Sequence, residues 1–203
     1  MQKTTQQETI KNLERNGFEV IELSSSKEAL SRAKEFIKDG QKIGLGGSTT
    51  VSQIGLLEYL IKLDNIELYN QYEEGISKEE NLERRRQGIL SDLYITSCNA
   101  ITKDGFLVNV DGDGNRVAAQ IFGPKKVLLI VGKNKLVDTL EDGFKRVSEV
   151  AIPLNIDRMN SKAISMGKEP LYNPDNIANK FSYITGDREG RTTILLVDEE
   201  LGF

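Results

Sequence analysis

The chain has 203 residues, a formal net charge of −4 and a pI near 5.2, which excludes the overall basic field that nucleic-acid binding calls for. It holds no histidine and one cysteine, Cys98, which rules out imidazole bases, Ser–His and Cys–His nucleophile pairs, His-ligated metals and internal disulfides. A single thiol also falls short of the several that an iron–sulfur cluster needs.

Chemistry is left to carboxylates, lysines, arginines, hydroxyls, Cys98 and backbone dipoles. No run of about 18 apolar residues occurs, and the opening stretch MQKTTQQETIKNLERNG lacks a hydrophobic signal core. The expectation is a cytoplasmic protein with no membrane and no nucleic-acid partner, built as one domain over 1–203 and long enough to bury its own core.

Short apolar runs alternate with longer amphipathic stretches, the pattern of an α/β fold with an open, mostly parallel sheet flanked by helices. Strands are predicted at 18–23, 41–46, 66–70, 92–98, 126–132 and 192–198. Between the first two, Ser25 and Glu28 make a capping-box pattern, and Gly40 stands where a glycine would stop the helix. After the second strand, STTVSQIGLLEYLIK reads as a helix. Ser77 with Glu80 repeats the start signal, and the run 135–150 reads as a third long helix with a break at Pro153.

The stretch 99–122 departs from this rhythm. Asp104-Gly105 between two short strand-like pieces is a hairpin signal, so a hairpin is inserted after the fourth strand, followed by a second Gly-rich turn and a helix opening near Asn115. The polar segment 160–191 contains Pro170 and Pro174 and reads as a long functional loop or partly ordered excursion. It includes Lys162, read as a surface lysine or as a group closing over an anionic ligand.

Two places gather chemistry. In the turn after the second strand, Gly46 and Gly47 let a ligand approach the backbone, while Ser48, Thr49 and Thr50 place hydroxyls and free N–H groups at a helix start. The spacing fits neither a Walker A loop nor a dinucleotide fingerprint. The plain alternative is that Ser48 caps the helix and the glycines only turn the chain. In the second place Asn99, Asn109, Asp111, Asp113, Asn115 and Arg116 crowd around the hairpin. Asp111, Asp113 and Asn115 match the opening of a calcium loop, and the match ends at Arg116 and Phe122. Either these groups face the first turn across a cleft, with Arg116 pairing a carboxylate or phosphate, or Asp113 and Asn115 cap a helix and Arg116 bridges on the surface. Cys98 reads as a small buried side chain at a strand end. Arg84 to Arg86 pair with Glu79, Glu80 and Glu83 along one helix, unless one of them touches a ligand.

GLGGSTTVSQIGL, SDLYITSCNAITKDGFLVNVDGDGNRVAAQIFGPKKVLLIVGKNKLV and TTILLVDEELG together resemble the LUD (lactate-utilisation, LutC/YkgG-like) domain family over roughly residues 5 to 203. The resemblance implies the fold shared with ribose-5-phosphate isomerase, glucosamine-6-phosphate deaminase and CoA transferases, whose first Gly-Ser-Thr turn binds phosphate or carboxylate. It implies a role in oxidising L-lactate to pyruvate beside iron–sulfur oxidoreductase subunits, with any cluster held by the partner, since this chain lacks the cysteines of its relatives after NIDRMN. The isomerases carry an Asp where Asn99 stands. An amide is no general base, so Asp111 becomes the candidate base, with Asn99 and Asn109 orienting a small anionic metabolite. A stand-alone isomerase or acyl/CoA-handling enzyme, and a non-catalytic scaffold for an iron–sulfur partner, are the alternatives. Assembly into a homo-oligomer stays open.

Overall fold

The computed structural model describes the backbone of residues 3–203 and side chains from Gln6 onward. Its elements in chain order are α1 (Lys3–Arg15), β1 (Glu19–Leu23), α2 (Ser26–Lys34), β2 (Lys42–Leu45), α3 (Thr49–Gln53), α4 (Leu56–Ile61), β3 (Glu67–Tyr69), α5 (Lys78–Ile89), β4 (Leu93–Thr96), β5 (Ala100–Thr102), β6 (Leu107–Asp111), α6 (Asn115–Ile121) and β7 (Lys126–Gly132). A 3₁₀ turn at Lys133–Lys135 leads to β8 (Leu136–Val137), α7 (Leu140–Arg146), a π-helical turn at Val147–Ala151, α8 (Ile152–Ser165), α9 (Pro174–Ile177), β9 (Lys180–Ile184) and β10 (Thr192–Val197).

All six strands expected from the sequence join one sheet in the order β1-β10-β7-β4-β2-β3, and every pairing in it is parallel. The central strands are continuous apolar runs because both faces are covered. Alternate residues serve opposite cores: Leu128, Ile130, Leu195 and Val197 pack with α2, α3 and α4, whereas Val127, Leu129, Val131, Ile194 and Leu196 pack with α1 and α6.

The inserted hairpin is β5 and β6, antiparallel, turned by Gly105 at φ +78°. It does not stand alone. With β8 and β9 it forms a second sheet in the order β8-β5-β6-β9, in which β6 and β9 are antiparallel from Leu107↔Ile184 to Asp111↔Lys180. Residues Ser97–Asn99 are where the chain leaves the first sheet for the second.

Four local readings need correction. The helix begun by Ser25 ends at Lys34, before Gly40, because Glu35, Phe36 and Ile37 tighten onto carbonyls three residues back. The helix after Ser48 is two helices, broken at Gly55 with φ +77°. Pro153 breaks nothing: the helical path continues through the π turn, and Pro153 sits in the first turn of α8, where its missing N–H is tolerated. The segment 160–191 is more ordered than its polarity suggests, since it completes α8 and supplies α9 and β9. Among the described residues no helix is long and apolar enough to cross a membrane.

Candidate functional site

The carboxyl ends of β2, β4 and β7 lie side by side, and the chain leaves each in a polar turn: Gly46–Thr50, Ser97–Asn99 and Lys133–Lys135. Open parallel sheets bind ligands at this edge. Gly46 is required by close packing, because a Cβ there would overlap the Thr96 side chain. Ser48 caps α3 by accepting from Val51 N at 3.2 Å. The turn is also clasped from outside: the hydroxyl of the half-buried Tyr72 donates to Gly46 O at 2.9 Å and accepts from Ser48 N at 3.0 Å. Thr49 Oγ1 and Thr96 Oγ1 are buried without a hydrogen-bond partner among the described residues.

Thr50, fully buried, leads to a group the sequence reading missed. Its hydroxyl donates to Leu201 O at 3.3 Å and accepts from Lys135 Nζ at 3.1 Å. Lys135 Nζ also donates to Ser97 Oγ at 2.9 Å, and the Ser97 hydroxyl in turn donates to Cys98 O at 3.3 Å. Lys135 is 1 % exposed and Ser97 4 %. Burial pushes the Lys135 ammonium down from 10.5 to about 7; the neighbouring Cys98 opposes this, and the charges of Arg146 and Arg116 add to it. Burial likewise raises the Cys98 thiol, against the pull of Lys135, Arg116 and Arg146, so Cys98 stays a thiol. Arg146, buried, donates to Asn134 O at 3.0 Å and to Asn99 O, and burial lowers its pKa. No carboxylate of the described residues pairs with Lys135 or Arg146. Nothing in the sequence marks Lys135 apart from its place three residues beyond a buried strand, in GKNK.

The hairpin residues do come together, largely with each other. Arg116 donates from Nε to Asp111 Oδ1 at 3.0 Å, from Nη1 to Ser97 O at 3.0 Å and Asn109 Oδ1 at 2.9 Å, and from Nη2 to Asn99 Oδ1 at 2.8 Å and Val110 O at 2.6 Å. All five of its donors' directions are thereby used within the protein. Asn109 donates to Gln120 Oε1 at 2.9 Å. Asp111 Oδ2 accepts from Val117 N at 3.0 Å, so this carboxylate, rather than Asp113 or Asn115, satisfies the first turn of α6. The knot ties the β4–β5 crossing, β6 and α6 together and fixes Ser97 from behind.

Asp113 is exposed and pairs with Arg85, while Asn115 Nδ2 reaches Tyr94 OH at 3.4 Å. Arg84 bridges Glu73 and Glu80, and Arg86 lies 3.7 Å from Glu83. Among the described residues no cluster of acidic or thiol groups has the arrangement of a metal site.

The protein is thus an α/β chain of the open-sheet class, with a second sheet that the chain enters from the carboxyl edge of the first. The LUD domain model matches residues 6–197, and the chain belongs to the LUD domain family. A solved DUF162 family protein from Deinococcus radiodurans superposes with a TM-score of 0.52, covering 96% of each chain at 14% sequence identity. At that identity the likeness is one of fold. No curated protein matches the chain.

Proposed function

We propose that the protein binds a small anionic metabolite at the edge formed by Gly46–Thr50, Ser97–Asn99 and Lys135, and serves as a subunit or accessory factor in oxidising an organic acid. The observation that carries this reading is the surplus of buried positive charge. Lys135, Arg116 and Arg146 gather about Cys98, and one carboxylate, Asp111, answers them. Buried charges are normally paired, and a bound carboxylate or phosphate supplies the missing partner. Gly46, Gly47, Ser48, Thr49 and Thr50 offer it backbone and hydroxyl donors, with the partnerless Thr49 hydroxyl the first candidate.

On this reading Asn99, Asn109, Asp111 and Arg116 shape the wall and hold the cations in place, and Asp113 and Asn115 line its rim. Membership in the LUD family favours L-lactate or pyruvate as the ligand, with electrons carried by iron–sulfur partner subunits. The test is a thermal-shift screen against L-lactate, pyruvate, sugar phosphates, nucleotides and acyl-CoAs. A ligand at about a hundred times its Kd adds roughly 2.7 kcal/mol to the folded state. A shift that weakens on Lys135→Met and on Ser48→Ala supports the assignment. A ligand that binds both variants as tightly as the wild type refutes it.

A further inference from the structure

Of the consecutive arginines Arg84, Arg85 and Arg86, the middle one is not spent on its own helix. Arg84 and Arg86 pair with Glu80 and Glu83 of α5, and Arg84 also with Glu73. Arg85 instead reaches across to Asp113, in the turn between β6 and α6, and its Nε–H is buried without a hydrogen-bond partner among the described residues. It thereby joins two walls. One is the segment 70–72, which α5 holds through Arg84 Nη1 to Asn70 O at 2.9 Å and Asn81 Nδ2 to Gln71 O, and which carries the Tyr72 clasp on Gly46 and Ser48. The other is the start of α6, where Asn115 Nδ2 lies 3.4 Å from the hydroxyl of Tyr94, whose ring borders Gly46.

Arg158 comes from α8, a third direction. Its Nε and Nη2 donate to Asn155 Oδ1 of its own helix at 3.2 and 2.7 Å, and it has no carboxylate partner among the described residues. The charges of Arg158, Arg85 and Arg116 all reach the Tyr72 hydroxyl, so cations from three elements converge on the clasp of the Gly46–Thr50 turn. The turn is open at that point. Gly47 is exposed, and a Cβ added there would meet one atom within 4 Å, the Tyr72 hydroxyl oxygen at 3.7 Å. Behind Gly46 the fully buried Thr96 hydroxyl stands without a partner.

We infer that Arg85 and Arg158 form a second anion-binding position at the mouth of the site, so that the ligand it takes best is a small dianion, a hydroxy acid bearing a further carboxylate or phosphate. This rests on the anion-site reading and extends it, since a monocarboxylate such as L-lactate fills the inner position alone. The first acid group takes the end lined by Thr49 and Lys135. The second takes the guanidiniums, whose planar donor forks suit a carboxylate or a phosphate. Asp113 holds Arg85 meanwhile; a pair with so exposed a carboxylate contributes little, and an acid group of the ligand displaces it at small cost.

The experiment is titration calorimetry of the whole protein with L-lactate, L-malate and O-phospho-L-lactate. Malate adds a carboxylate to the lactate skeleton and phospholactate a phosphate, so the tighter of the two names the second group. One or both should bind about tenfold or more tightly than lactate. Arg85→Gln and Arg158→Gln each shrink that preference by about threefold or more, and together they bring it close to one. Asp113→Asn, which removes the competing carboxylate, raises it. A wild-type protein that binds all three equally, a comparison that depends on no variant folding, overturns the second position and leaves the inner site standing. A preference that survives the double substitution overturns it as well. If none of the three binds, the anion site itself falls and the second position with it.

Discussion

Replacing Lys135 with methionine removes a buried amine while keeping an unbranched chain of similar length, and the consequence for stability depends on pH. The lysine releases its proton near 10.5 when unfolded and at about 7 when folded. Between those values the unfolded state binds more protons, so stability rises with pH across the window, and the full penalty applies below pH 7. At about 1.4 kcal/mol per pKa unit, the burden on the folded state is about 4 kcal/mol at pH 7 and about 2 kcal/mol at pH 9. The wild type therefore gains roughly 2 kcal/mol from this residue between pH 7 and pH 9, an increment that Lys135→Met lacks. Cys98, whose raised pKa works against stability near and above 9.0, is present in both proteins and largely cancels in their difference. Thermal unfolding of the pair at pH 7, 8 and 9 should show the Tm difference changing by roughly 4–8 °C in favour of the wild type as pH rises. Two melting profiles that stay parallel would mean that Lys135 keeps an ordinary pKa, and the electrostatic reasoning for the anion site would fall with it.

Two further outcomes probe the frame around the site. Asp111→Asn leaves Arg116 buried without its counter-charge and weakens the cap on α6, and should cost about 2–4 kcal/mol in urea unfolding; a loss under about 0.5 kcal/mol would mean that the pair is solvated. Tyr72→Phe removes both bonds that clasp the Gly46–Ser48 turn and should cost about 1–2 kcal/mol. Amide exchange at Ser48 should quicken in that variant, and unchanged protection there would show that the turn is held by something else.

The layers of the fold were legible because the physics that sets them is local. Six apolar runs bounded by turn residues became six strands, and Ser25, Ser48 and Ser77 cap the helices that follow them. Where the sequence reading failed, distant residues outvoted neighbours. The polar run 160–191 looked loop-like because its strand, Lys180–Ile184, is apolar on a partly exposed face and is held by pairing with β6, some seventy residues earlier. Gly55 carried no sign in the sequence that its backbone would turn left-handed and divide a helix.

The site divides in the same way. From the sequence alone one can read the parallel sheet, the Gly46–Thr50 turn at its edge, the hairpin with its crowd of Asn99, Asn109, Asp111 and Arg116, and the lack of imidazole and thiol chemistry. What only the tertiary structure decided is how those groups are spent. Arg116 uses its donors on the hairpin itself, because a guanidinium that leaves water must satisfy every N–H it carries. Lys135, an unremarkable residue of a surface-looking KNK turn, is instead swung inward between Thr50 and Ser97. A lysine's charge is a property of composition, but its pKa is a property of its surroundings, and those are assembled here from segments up to 151 residues apart, Thr50 and Leu201.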